Sequence, residues 1–215
     1  VRSSVEEGQS VVDEITERDG RALLCVADVA DQNAVLQMVA EVEAQWGRLD
    51  VLVNNAAVRR ETKLDDISAA DWHRTLAIIL DGAFFCTQAA LRLLRKSERP
   101  TIVNIGGMTG HTGAANRLHV VTAKAGLAGM TRALAHELAS DGITVNCVAP
   151  GMIDTVRHAA SSAANPDHRR RHHTLLARHG TAGEVAQTVA WLAGDGAKFV
   201  TGQVIHVNGG AYLGG

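Results

Sequence analysis

Three cysteines, Cys25, Cys86 and Cys147, are scattered through 215 residues with no CxxC pair among them. That scarcity and spacing exclude a zinc knuckle and a disulfide framework, and leave three buried thiols as the expectation. An excess of one charge sign is lacking too, since 21 Lys and Arg face 23 Asp and Glu for a formal net charge of −2. No global field is therefore present to gather nucleic acid or an anionic membrane. No apolar run reads as long enough to span a bilayer. No secretory leader is visible either, so the expected location is the cytoplasm. Internal repeats and low-complexity linkers are also missing.

What is present is an ordinary soluble composition, 46% apolar and 20% charged, in a length that suits one domain with a substantial core. A polar-faced helix is expected over about 4–18, followed by a short apolar strand through "ALLCVADV". Val35, Met38, Val39, Val42 and Trp46 then recur at helical spacing behind Asp31, a plausible N-cap. "LDVLVNN" is a continuous apolar run of the kind buried on both faces of a parallel sheet. A long helix follows over about 69–96, then the strand "TIVNIGG", a helix striped by Val120, Leu127, Met130, Leu134 and Leu138, and the strand "GITVNCVAP". "AGEVAQTVAWLA" and "QVIHVN" supply the last helix and strand. Strands alternating with such helices imply an α/β fold of the doubly wound, Rossmann type, one domain over 1–215. Only the stretch at about 154–180, rich in His, Arg, Ala and Ser, breaks the rhythm and reads as a lid-like insertion.

Four segments in register carry a resemblance. "DVLVNNAA", "ADVAD", "VNCVAPGMIDT" and "VTGQVIHVNGG" are similar, in order and across nearly the whole chain, to motifs of the short-chain dehydrogenases/reductases. Within them the chain resembles the 3-oxoacyl-carrier-protein reductases. The resemblance implies a nicotinamide dinucleotide held outside the carboxyl ends of the strands. Asp28 and Val29 would border the adenine, and Asn54, Asn55 and Ala56 the adenine-side ribose. Pro150, Gly151, Ile153 and Thr155 would cover the nicotinamide, with Lys124 on its ribose. Arg2 would favour the 2′-phosphate, so NADP is expected over NAD. The family's TG-x-x-x-G-x-G turn, which meets the pyrophosphate at a helix start, has no counterpart here. "GGMTGHTG" lies too late in the family order to be that turn. The chain begins at Val1, and a sheet without its central strand would expose apolar edges. A further N-terminal portion carrying the first strand, glycine turn and first helix is therefore expected.

The chemistry departs from the family. Its Tyr-x-x-x-Lys pair, on one face of a helix, becomes Val120 and Lys124; its serine aligns with Gly107 and its asparagine with Ile79. A valine cannot pass a proton, so the usual path is gone. Lys124 could act alone if burial lowered its pKa. His111, in the loop after a strand, and His119, beside Val120 but about 100° around the helix, are the other candidate acid–base groups. His158, His168, Arg169, Arg170, Arg171, His172 and His173 crowd the insertion. The spacing of His168 and His172 lacks a third ligand, so no metal is expected. With Arg59 and Arg60 they suggest an anionic small-molecule substrate. Three readings stay open at this point: a short-chain oxidoreductase with a non-standard proton donor, a dinucleotide-binding protein with little redox activity, and a proton-transfer enzyme using His111 or His119. A homo-oligomer, dimer or tetramer, is the expected state.

Overall fold

The computed structural model describes residues 2–155 and 173–214. Four parallel strands form the sheet: β1 (Val51–Asn54), β2 (Thr101–Ile105), β3 (Thr144–Pro150) and β6 (Val204–Val207), hydrogen-bonded in that order. A short parallel pair, β4 (Ile153–Asp154) and β5 (Gly180–Thr181), sits apart and brackets the insertion. Among the described residues, seven α-helices accompany them: α1 (Val5–Glu17), α2 (Gln32–Trp46), α3 (Ala69–Leu76), α4 (Gly82–Leu94), α5 (Thr109–Thr112), α6 (Leu118–Glu137) and α7 (Ala182–Leu192). Asp31 caps α2 as expected, its carboxylate accepting from the Asn33 and Ala34 amides. Thr181 and Glu184 close α7 with a reciprocal capping box.

Alternation along the strands sorts the core into two layers. Ile102 and Val145 face α4 and α6, where they pack with Ala90, Leu94, Ala135 and Leu138. Val103, Ile105 and Val148 face the other way, onto Leu192 of α7. Every residue of β2 is buried, the pattern of a central parallel strand covered on both sides.

Two expectations need correcting. "ALLCVADV" forms no strand; Arg21–Val29 runs without ladder pairing, and among the described residues β1 pairs with β2 alone. A lone extended segment has no partner for its backbone groups, whatever its β propensity. Val53 at that edge, Val26 beyond it, and Val11 and Ile15 of α1 are all exposed. The second correction concerns the long helix. By length and composition alone, Ala69–Leu94 would qualify as a membrane span, with mean hydropathy 1.5. Isolated polar residues such as Asp81 interrupt its apolar sequence. In the fold, α4 packs on α2, β1 and β2 and buries Ala83, Cys86, Ala90, Leu93 and Leu94, so its apolar side chains have a core to fill. Between α3 and α4 the helix widens into one π-turn, Ala77–Asp81.

Candidate active site

Because the strands are parallel, their carboxyl ends lie together, and the family-like residues gather there. Asn54 ends β1 with its amide turned inward. It donates to Asn104 Oδ1 at 2.9 Å and to Thr87 Oγ1 at 3.2 Å, and Asn104 in turn donates to Thr131 Oγ1 at 2.9 Å. This buried chain ties two strands to α4 and α6 and leaves Asn55 and Ala56 exposed on the rim. The loops that follow β2 and β3 are stitched together, with the Met108 amide donating to Pro150 O at 2.9 Å. The Gly151 amide donates to Val207 O at 2.9 Å, and a Cβ on Gly151 would sit 2.6 Å from that of Asn208. Only glycine lets the Pro150–Gly151 turn pass so close to β6. Ile153 is buried in β4, and Thr155 is exposed just beyond it.

Lys124 projects from α6 into this mouth. It is 8% exposed and donates to the backbone carbonyl of Ile105 at the end of β2. Burial, with Arg59 second and Arg117 as a further like charge, drops its pKa from 10.5 to about 8. Cys147 lies behind: a Cβ on Gly106 would meet its sulfur at 2.7 Å. Val120 and Ile79 are both fully buried in one apolar cluster with Ile78, Ala123 and Leu127, flanked by Ala57 and Val58. Where the family carries tyrosine and asparagine, this chain has built hydrocarbon packing. Gly107 is different, since a Cβ there meets no atom within 4 Å.

The two candidate histidines occupy separate places. His111, in the single turn of α5, packs on His206 at a ring-centroid distance of 4.7 Å and on Tyr212 at 5.9 Å. Burial, then Arg132, lowers its pKa. The His119 ring is fully buried in a region shared with Asp71, Arg117 and Arg60. Neither ring nitrogen has a hydrogen-bond partner among the described residues. The turn of α5 does follow the Gly106–Gly113 stretch, but it is four residues long, too short to present a helix N-terminus to a phosphate.

Asp28 accepts from Arg74 at 2.6 Å and from the Ala30 amide at 3.1 Å, and Arg2 stands 3.8 Å away. Arg74 chiefly holds this carboxyl below its usual range. Val29 is pressed against Gly82, whose Cβ would come within 2.7 Å of it.

The chain belongs to the short-chain dehydrogenases/reductases. The family model described as enoyl-(acyl carrier protein) reductase matches residues 2–212. The 3-oxoacyl-[acyl-carrier-protein] reductase FabG of Staphylococcus aureus is 39% identical over 212 residues, covering 98% of this chain and 85% of that protein. The (2S)-[(R)-hydroxy(phenyl)methyl]succinyl-CoA dehydrogenase subunit BbsD of Thauera aromatica is 41% identical, with 97% and 83% covered. A short-chain dehydrogenase from Burkholderia cenocepacia, solved in complex with NADP, superposes with a TM-score of 0.90 at 35% identity, over 98% of this chain and 85% of that one.

Of the insertion, His158, His168, Arg169, Arg170, Arg171 and His172 lie outside the described residues, and no metal-binding cluster occurs among the described ones. Sequence reasoning missed Arg117. It stands at the N-cap of α6, buried at 8% exposure. The signal was there: a cation at a helix N-terminus opposes the dipole, so something other than helix stability keeps it in place.

Proposed function

We propose that this protein is an NAD(P)-dependent oxidoreductase that interconverts a carbonyl and an alcohol, with Lys124 as the acid–base group in place of the missing phenol. The supporting observation is the buried amine at the mouth, brought to about 8 by desolvation and neighbouring cations. An acid with a pKa near ambient pH both gives and takes a proton readily.

The described residues fit the nicotinamide half of the cofactor. The glycine turn beside Asn208 holds Pro150, Gly151, Ile153 and Thr155 over the strand ends, Asn55 and Ala56 rim the opposite side, and Lys124 lies between. Asp28, Val29 and Arg2 would border the adenosine, with Arg2 favouring NADP. A bound nicotinamide dinucleotide supplies or accepts the hydride at the carbonyl carbon. In reduction the Lys124 ammonium gives one proton to the substrate oxygen; in oxidation the neutral amine takes it back. The Ile105 carbonyl orients that amine by accepting from it, and the Val120–Ile79 cluster keeps water from its flank.

The substrate is a small molecule, read as anionic from the basic loop after β1, where Arg60 is already paired with Asp71 at 2.8 Å and Arg59 is exposed. The FabG and BbsD relatives are named for acyl-carrier and acyl-CoA compounds, which makes acyl derivatives the first class to try. We expect one domain, a cytoplasmic protein and a homo-oligomer of two or four copies; exposed Phe84 on α4 and Leu118 on α6 suit helix faces that pair between copies.

The test follows absorbance of bound NADPH by stopped flow against ketones, oxo acids and oxo-thioesters, with NADPH binding measured separately by fluorescence. Lys124→Ala should cut oxidation by about 10²-fold or more while the fold is kept. A second reading, dinucleotide binding with little redox activity, draws on the loss of polar groups at Val120 and Ile79. It is favoured if NADPH binds and no carbonyl compound oxidises it, and if Val120→Tyr with Gly107→Ser brings no gain in rate. Activity that survives Lys124→Ala but falls in His111→Ala or His119→Ala moves the role to a histidine.

A further inference from the structure

Lys124 is set among hydrocarbon on α6. One turn before it stands Val120, and one turn after it Leu127 and Ala128, all buried. Its stem is confined as well, because the single turn of α5 presses on it: a Cβ on Gly110 would come within 3.2 Å of the Lys124 Cβ. The amine at the end of that stem donates to Ile105 O, a neutral acceptor. No carboxylate pairs with it among the described residues. Burial first, then Arg59 from the loop after β1 and Arg117 from the start of α6, disfavour its charge, while Cys147 of β3 acts in the opposite sense. Burial pushes the Cys147 thiol up, so that group is protonated where Lys124 titrates.

A lysine placed in this way is a different reagent from an exposed one. An ammonium has no free electron pair. The neutral amine has one, and desolvation beside other cations is what makes that form abundant near neutral pH. While one N–H is spent on Ile105 O, the lone pair is directed away from that oxygen. A carboxylate at its side would hold the charge on the nitrogen; α6 supplies Val120 and Leu127 instead. The chain's other lysines, Lys63, Lys96 and Lys198, have the opposite surroundings. Lys63 is exposed, Lys96 pairs with Glu43, and Lys198 pairs with Asp195 at the surface.

We propose that Lys124 is also a nucleophile, which condenses with the carbonyl carbon of a small aldehyde or ketone to form an imine. The amine lone pair bonds to that carbon as the C=O π pair moves to oxygen. The nitrogen's two protons and the oxygen then leave as water. The imine nitrogen takes up a solvent proton, and the resulting cation draws electrons from the adjoining carbon, so a proton there becomes acidic. No oxidant or reductant enters. In the oxidoreductase reading the same amine meets the substrate's oxygen while a hydride reaches the carbon. Here the amine itself reaches the carbon and no hydride is needed, so either reading can fail alone.

The test is reductive trapping. The protein is incubated at about pH 7 with limiting propanal and sodium cyanoborohydride, which reduces an imine to a stable amine. Each lysine-containing peptide is then read by mass spectrometry. Propyl addition at Lys124 should exceed that at Lys63, Lys96 or Lys198 by about 10-fold or more. That excess should shrink as pH is raised toward about 10, where the surface lysines lose their protons too. Lys124→Arg, which keeps a cation in place, should remove the fast site and leave the slow three unchanged. Equal labelling of the four lysines, or the least labelling at Lys124, overturns the proposal. NADPH oxidation is followed on the same preparation. Trapping at Lys124 without turnover sinks the redox reading and leaves the nucleophile standing. Turnover with Lys124 trapped no faster than the surface lysines does the reverse.

Discussion

Two buried polar regions lie a few residues apart in this molecule and are built on opposite terms. Inside the sheet, Asn54, Asn104, Thr87 and Thr131 form a chain in which every amide nitrogen donates to a neighbour, and Thr131 in turn donates to Leu127 O at 2.8 Å. At the mouth, Lys124 meets one neutral carbonyl, other cations stand nearby, and His119 has no partner among the described residues. The first region is closed: each group finds what it needs within the chain. The second is open, and groups left wanting in a buried place are the ones a ligand satisfies. The contrast separates residues that hold the frame from those that act, even where both are asparagines and lysines of the same family motifs.

The sharpest way to break the contrast is to damage the closed side. Asn104→Leu removes one acceptor of the Asn54 amide and the amide that donates to Thr131, and should cost about 2–4 kcal/mol of stability by urea denaturation. If the cost is near zero, the chain is not the frame it is taken for. A milder lever is pH. Burial lowers the pKa of His111, His119 and His206, so each is favoured neutral in the fold. The unfolded chain then binds more protons below about 6.5, and stability present above that pH is lost as pH falls toward the folded-state values. The melting temperature should drop between about pH 7 and 5, and His206→Leu should flatten that slope. A slope unchanged in the variant would show that the ring cluster with His111 and Tyr212 does not titrate as described. The smallest effect is expected on the open side. Gly107→Ser places its side chain where no atom stands within 4 Å and should change stability by no more than about 0.5 kcal/mol.

Much of this was legible in the residues. The alternation of strands and helices, the Asp31 cap and the strand-end motifs each express a local rule, and each appears in the fold at about the expected place. Pairing is not local, which is why "ALLCVADV" failed as a strand: its alternation and β-branched residues speak to propensity, while a ladder needs a neighbour. The substitutions at Val120, Ile79 and Gly107 could be read from alignment with motifs. That Val120 and Ile79 share one apolar cluster, whereas Gly107 faces open space, could not, because the packing joins helices far apart in sequence. Arg117 escaped notice for the same reason, since its burial depends on the loop folded over it.

The π-turn at Ala77–Asp81 sets where Ile79 and the helix beyond it point. An added residue in a helix rotates everything after it, and such turns are frequent at functional sites. Here Ile79 occupies the turn without a polar side chain, while the close fit of Gly82 beneath Val29 keeps the backbone in place. An amide placed at that position would be buried among Ile78, Val120 and Leu127, so Ile79→Asn carries a stability cost unless the new group finds a partner there.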